Sequence, residues 1–230
     1  FALTSDDAAS VLAVAGGFDA ADPFSRAEPQ QAERPFAGLR IGVPSPARRE
    51  FFGDTAAAAI YEEALALART LGAGPVEVDL APFLATAELL YAGPWVAERT
   101  AAIGAFLAAK PEAIWPTTRS VIETGHRFSA IDAFNGQYRL AELARATLPV
   151  WQQADVLMLP TTPTIYRVDD VVAKPILLNS RLGTYTNFVN LLDYAARIED
   201  AGSGVGAPIG FGPHRVSARL TPRGGDEVEV

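Results

Sequence analysis

Apolar residues recur along the chain at two spacings, and the order of those spacings predicts the architecture. Ser5, Asp6 and Asp7 form a helix-start signal, after which Ala8, Val11, Leu12 and Ala15 keep helical spacing until Gly16-Gly17 stops them. Asp19 to Pro35 is polar and punctuated by proline, which predicts a surface loop. Leu39, Ile41 and Val43 alternate before Pro44, the period of a strand. Asp54 stands where a cap belongs, and Ala57, Ile60, Tyr61, Ala64, Leu67, Ala68 and Leu71 then follow the i, i+3, i+4, i+7 pattern up to Gly72. Val76, Val78 and Leu80 alternate again. Strand, helix and strand of these lengths form a βαβ unit. The predicted class is therefore α/β, a mixed β-sheet covered by helices on both faces.

Downstream, Pro82 to Tyr91 reads as helix, Gly93-Pro94 interrupts it, and a second helix runs from Pro94 to about Ala109 with proline in its first turn. Ser129 to Gln153 carries the longest helical pattern, through Ile131, Phe134, Tyr138, Leu140, Leu143 and Leu148, with Pro149 expected to bend or end it. Asp155 to Pro160 is a continuous apolar run suited to a buried central strand. The loop after it, Thr161 to Tyr166, is a candidate site wall, since ligands in such sheets sit beyond the carboxyl ends of strands. Asn179 to Phe188 reads as a polar loop leading into an apolar helix over 188–195. From Arg197 onward glycine, arginine and proline crowd the chain, and only Val216 to Leu220 looks strand-like. The expected division is a partial domain over 1–196 and an irregular tail over 197–230.

Composition narrows the chemistry. A chain of 230 residues that is 49% hydrophobic and 20% charged can bury a sizeable core. A formal net charge of −8 without a basic cluster argues against a nucleic-acid partner. No run approaches the ~18 apolar residues of a membrane span, so neither a membrane partner nor secretion is expected, and a cytoplasmic location is the default. Cysteine is absent, which removes thiolate nucleophiles, disulfides and cysteine metal sites. Phe1 in place of methionine leads to the expectation that the natural start lies upstream.

Few residues then remain to carry a reaction. A Ser-His-Asp triad would need His126 or His214, the two histidines, and neither sits beside a nucleophile signature. Their separation gives no metal-ligand spacing, and the glycine-rich stretch 202–212 lacks the lysine and the strand-to-helix context of a phosphate loop. No metal or cofactor is expected. Arg99 is more informative. With about 100° per residue, it falls within an apolar arc of Trp95, Val96, Ile103, Phe106 and Leu107. A guanidinium there needs a partner, and its planar fork suits a carboxylate. From the residues alone, an internal ion pair with a carboxylate of this chain is the favoured account, and a bound carboxylate is the alternative. Tyr91, just before the Gly93-Pro94 break, could face the same cavity or simply pack at a helix end.

Five stretches in order, FALTSDDA, GFDAADPFSR, LYAGPWVAER, LPTTPTIYRVDDV and ILLNSRLGTYTNFVNLLD, resemble the allophanate hydrolases of the amidase signature family. The resemblance covers roughly residues 1 to 196. It implies hydrolysis of allophanate (urea-1-carboxylate) to ammonia and carbon dioxide, by a serine nucleophile, a bridging cis-serine and a lysine base, with backbone amides holding the oxyanion. It also implies that a tyrosine and an arginine eight residues apart bind the substrate carboxylate, which map onto Tyr91 and Arg99. The family is commonly dimeric, so a homodimer is the expected assembly, with a functional link to urea carboxylase.

The departures set further expectations. The family's lysine and serine-rich signature precede the segment matching Phe1, and Lys110 and Lys174, the only lysines here, lie in other contexts. No catalytic residue is expected within the chain, and the isolated chain should release no ammonia from allophanate. After Asp193 the family's apolar strand gives way to Arg197-Ile198-Glu199-Asp200, which predicts a central strand left unformed. The competing readings are a non-catalytic module that keeps the fold, and an amidase for a different substrate, the latter favoured if Arg99 is internally paired.

Overall fold

The computed structural model describes residues 5–25, 35–200 and 206–212. Its elements in chain order are α1 (Ser5–Ala15), β1 (Arg40–Pro44), α2 (Thr55–Thr70), β2 (Gly74–Val78), α3 (Ala81–Ala92), α4 (Trp95–Ala109), α5 (Pro116–Glu123), α6 (Ala130–Gln153), β3 (Val156–Leu157), α7 (Val168–Ala173), α8 (Pro175–Leu182), α9 (Phe188–Leu191), β4 (Ala195–Asp200) and β5 (Gly206–Gly212). The expected βαβ unit is present. β1 pairs in parallel with β2, Ile41 opposite Pro75, and on its other side with β3, Ile41 opposite Val156. The sheet order is β2-β1-β3. At the start of β1 the Arg40 guanidinium and backbone N–H both reach the Asp155 carboxylate, at 2.9 Å each, which ties the strand to the turn between α6 and β3.

Alternation along the strands sends side chains to two separate cores. Ile41, Val43, Val156 and Met158 point to α2, where Tyr61, Leu65 and Ala68 cover them. Val78, Leu157 and Leu159 point the other way, into a cluster with Phe83 of α3, Val150 of α6 and Tyr185 and Phe188 near α9. Phe83 is fully buried and meets Phe188 and Trp151 edge-on at 5.2 and 6.1 Å between ring centres. Helices thus cover both faces, as the sequence predicts. Two caps fix helix starts. Asp54 accepts from the Ala57 N–H at 2.9 Å, and Ser129 with Asp132 forms a reciprocal capping box at the head of α6.

Several expectations need correcting. The Asp155–Pro160 run is buried, but β3 is only two residues long and lies at the edge of the three-stranded sheet, with β1 in the middle. Burial there comes from the helices of the two cores, and β5 lies alongside. α6 passes through Pro149 to Gln153 unbroken. It buries Gly136, Leu143, Thr147 and Val150, while Ile131, Phe134, Tyr138 and Leu148 of the expected stripe are exposed. α9 ends at Leu191, short of the predicted helix, and α7 and α8 form where loop or no element was expected. At 195–200 and 206–212 the chain forms β4 and β5, which pair antiparallel in a two-stranded sheet of their own and add no central strand to β2-β1-β3. The Val216–Leu220 stretch and His214 lie outside the described residues.

Candidate functional site

The break between α3 and α4 is built by Gly93 and Pro94. α3 closes with the Gly93 N–H donating to the Leu89 carbonyl at 3.0 Å, and Pro94, which has no N–H to give, starts α4. Tyr91 therefore occupies the last turn of α3 and Arg99 the second turn of α4. The two side chains meet across the break, with the Arg99 Cζ 4.7 Å from the centre of the Tyr91 ring. Such stacking contributes about 0.5–1 kcal/mol at exposed sites and uses none of the guanidinium N–H donors.

Arg99 is not in the middle of a buried face. Val96, Thr100 and Leu107 are the buried residues of α4, whereas Phe106, expected inside, is half exposed. The buried face is thus centred roughly 80° round the helix from Arg99, which stands at its flank, partly covered. Tyr91 is 50% exposed. The internal ion pair that the residues alone favoured is not formed: among the described residues, the ion pairs are Arg40–Asp155, Arg49–Glu62, Arg119–Glu123 and Arg139–Glu142. Among the described residues no hydrogen bond or ion pair draws on the Arg99 guanidinium, which lies next to a phenol that can add another donor.

The other candidate segments serve the scaffold. In the loop after β3, Thr164 donates to Asp54 at 3.0 Å. The Ala57 N–H first, and the Thr164 hydroxyl second, hold the Asp54 carboxyl below its ordinary range. Thr161 Oγ1 and the Tyr166 hydroxyl are buried without a hydrogen-bond partner among the described residues. In the 179–188 cluster, the Tyr185 hydroxyl accepts from the Glu50 N–H at 2.7 Å and faces the Glu50 carbonyl at 3.2 Å, which ties loops together across the sheet end. Burial pushes that phenol's pKa up. Arg181 lies over the Phe52 ring at 4.8 Å. Asn187 makes no side-chain cap for α9. His126 is exposed in the turn Thr124–Arg127. Sequence reasoning missed the Tyr185–Glu50 and Asp54–Thr164 links, because each joins residues more than a hundred positions apart.

No family model matches the chain. It is 36% identical over 183 residues to a urea amidolyase of Saccharomyces cerevisiae, an alignment covering 79% of this chain and 10% of that protein. The structure of an allophanate hydrolase from Kluyveromyces lactis superposes with a TM-score of 0.84 at 35% identity, covering 91% of this chain and 36% of that one. A bacterial aryl acylamidase of the amidase signature family shares the fold at a TM-score of 0.64 and 17% identity, over 90% of this chain and 47% of that one. The chain spans about a tenth of the length of the curated urea amidolyases it matches.

Proposed function

We propose, because the chain belongs to the amidase signature family, that it is the substrate-carboxylate-holding part of an allophanate hydrolase, with Arg99 and Tyr91 as the clamp. The observation that carries this reading is the Arg99 guanidinium stacked on Tyr91 without an acidic partner among the described residues. A clamp for a carboxylate needs a cation whose donors are unspent, and an amidase for neutral substrates has no use for one. The identity to an allophanate hydrolase and to urea amidolyases supports the same substrate.

In this reading the carboxylate end of allophanate is fixed by Arg99 and the Tyr91 hydroxyl, which presents the amide carbonyl at the other end for attack. The attacking serine, the bridging serine and the lysine base lie outside these residues. Lys110 and Lys174 are both exposed at helix ends, unsuited to a desolvated base. Serine adds to the carbonyl, the lysine takes its proton through the middle serine and passes it to the leaving ammonia, and water resolves the acyl-enzyme. Names of the relatives as urea amidolyases support a functional link to a urea carboxylase that supplies allophanate. A homodimer and a cytoplasmic location belong to the same proposal. Among the described residues no helix is long and apolar enough to cross a membrane. The division at residue 196 is likewise proposed, as a change in sequence pattern.

The test uses malonamate, in which a methylene replaces the bridging NH of allophanate. Titrated into the ¹⁵N-labelled chain, it should move the Arg99 Nε–Hε signal and not that of Arg49; an unmoved Arg99 signal would sink the clamp. Purified chain incubated with allophanate should release no ammonia, and release would overturn the location of the catalytic groups.

A further inference from the structure

Arg99 has a neighbour that the proposal above leaves unused. Thr100, 8% exposed, donates its hydroxyl to the Ile122 carbonyl at 2.6 Å. That carbonyl belongs to the last turn of α5 and also accepts from the Thr124 N–H, so the Thr100 bond ties the middle of α4 to the end of α5. The turn Thr124–Arg127 presses on the same stretch. A β-carbon on Gly125 would lie 2.8 Å from the Val96 carbonyl oxygen and 2.9 Å from the Ala97 Cα, and would overlap the Thr100 hydroxyl. At the head of α4 the approach to α6 is equally close. A β-carbon on Gly136 would lie 2.9 Å from Pro94 Cδ and 3.2 Å from the Trp95 ring.

α4 is therefore gripped at Pro94-Trp95 and again at Thr100, with Arg99 between the grips. Successive residues on a helix are about 100° apart, so fixing Thr100 against α5 fixes the direction in which Arg99 leaves the axis. A roll of about 10° would carry a guanidinium roughly 7 Å from the axis through about 1 Å, enough to disturb both the stack on Tyr91 and a bidentate contact.

We infer that Thr100 is a positioning residue that sets the rotation of α4 through Ile122 and holds Arg99 over Tyr91. The inference rests on the reading of Arg99 as a carboxylate clamp. It is a role for this chain's own residue and makes no contact with substrate.

Two readouts on the whole chain separate this inference from that reading. The first is the upfield ring-current displacement of the Arg99 side-chain protons caused by Tyr91, identified by its loss in Tyr91→Leu. The second is the malonamate Kd. Thr100→Val should lose most of the displacement and weaken malonamate roughly fivefold, as expected for one missing hydrogen bond. Thr100→Ser, which restores the hydroxyl, should recover both. Thr100→Ala serves the same purpose as the valine variant if that variant does not fold. Displacement and Kd unchanged in a folded Thr100→Val or Thr100→Ala, with only a lower melting temperature, would overturn the inference and leave Thr100 a packing residue. Displacement lost as expected in a chain whose wild type binds no malonamate would support the positioning and sink the clamp.

Discussion

Among the described residues two arginines lie over tyrosine rings, and the groups around them differ. Arg49 stands 5.5 Å from the ring of Tyr61, is ion-paired with Glu62, and donates to the Pro44 carbonyl at 3.0 Å. Its tyrosine is buried, with the hydroxyl donating to the Met158 carbonyl at 2.7 Å. Arg99 stands 4.7 Å from the ring of Tyr91, with no carboxylate among the described residues and with a half-exposed tyrosine. The first pair spends its polar groups on the fold, joining the end of β1 to α2 and to the strand run after β3. The second leaves its donors unspent at the break between α3 and α4. A stack on an aromatic ring alone does not distinguish structure from function. What distinguishes them is whether the remaining hydrogen-bonding capacity is already used.

The comparison predicts unequal costs of mutation. Arg49→Ala should destabilise the chain by about 3 kcal/mol in urea unfolding, through loss of the charged bond to Pro44, the pair with Glu62 and the stack. A cost as small as that of an exposed arginine would erase the contrast. Tyr61→Phe should cost about 2 kcal/mol by leaving the buried Met158 carbonyl without that donor, whereas Tyr91→Phe should leave the urea midpoint unchanged.

Asp54→Ala should cost about 1 kcal/mol, since it removes the α2 cap and the bond from Thr164. This residue also supplies a pH test. Its folded carboxyl is held below the unfolded value near 3.9, so its contribution is complete at neutral pH and fades as pH falls through the lower folded value. Unfolding followed below pH 5 should show a shallower loss of stability in Asp54→Asn than in the wild type. Equal slopes would mean that the cap and the Thr164 bond do not favour the ionised form.

Arg99→Gln should change stability by less than about 0.5 kcal/mol, the range for surface positions. The same variant should weaken malonamate binding at least tenfold, by removal of a charge-assisted contact. A large stability loss here would mean that Arg99 belongs with Arg49 as a scaffold residue.

Much of the fold was legible in the sequence because it rests on local periodicity. The period-2 runs at Leu39–Val43 and Val76–Leu80, with the helical run from Asp54 between them, give β1, α2 and β2 within a residue or two. The capping side chains of Asp54 and Ser129 stand directly ahead of the helices they start. Motif order carried the resemblance to the family, and that resemblance, not the spacing of the residues, singled out Tyr91 and Arg99 as the candidate clamp. Other features were hidden. α7 and α8 follow a loop whose polar residues mask their start, and β4 forms where the family's apolar pattern is absent.

The sequence by itself determined the βαβ unit and the helix starts at Asp54 and Ser129, since each depends on neighbours within a few residues. Only the tertiary structure decided which face of α6 is buried. Ile131, Phe134 and Tyr138 look like core by hydrophobicity, yet the approach of Pro94 and Trp95 selects the face carrying Gly136, where a small residue permits close packing. Only the tertiary structure decided, too, that among the described residues Arg49 found an acid and Arg99 did not. Charge partners are set by which helices come to lie side by side, and that depends on the packing of whole faces rather than on the residues adjacent in the chain.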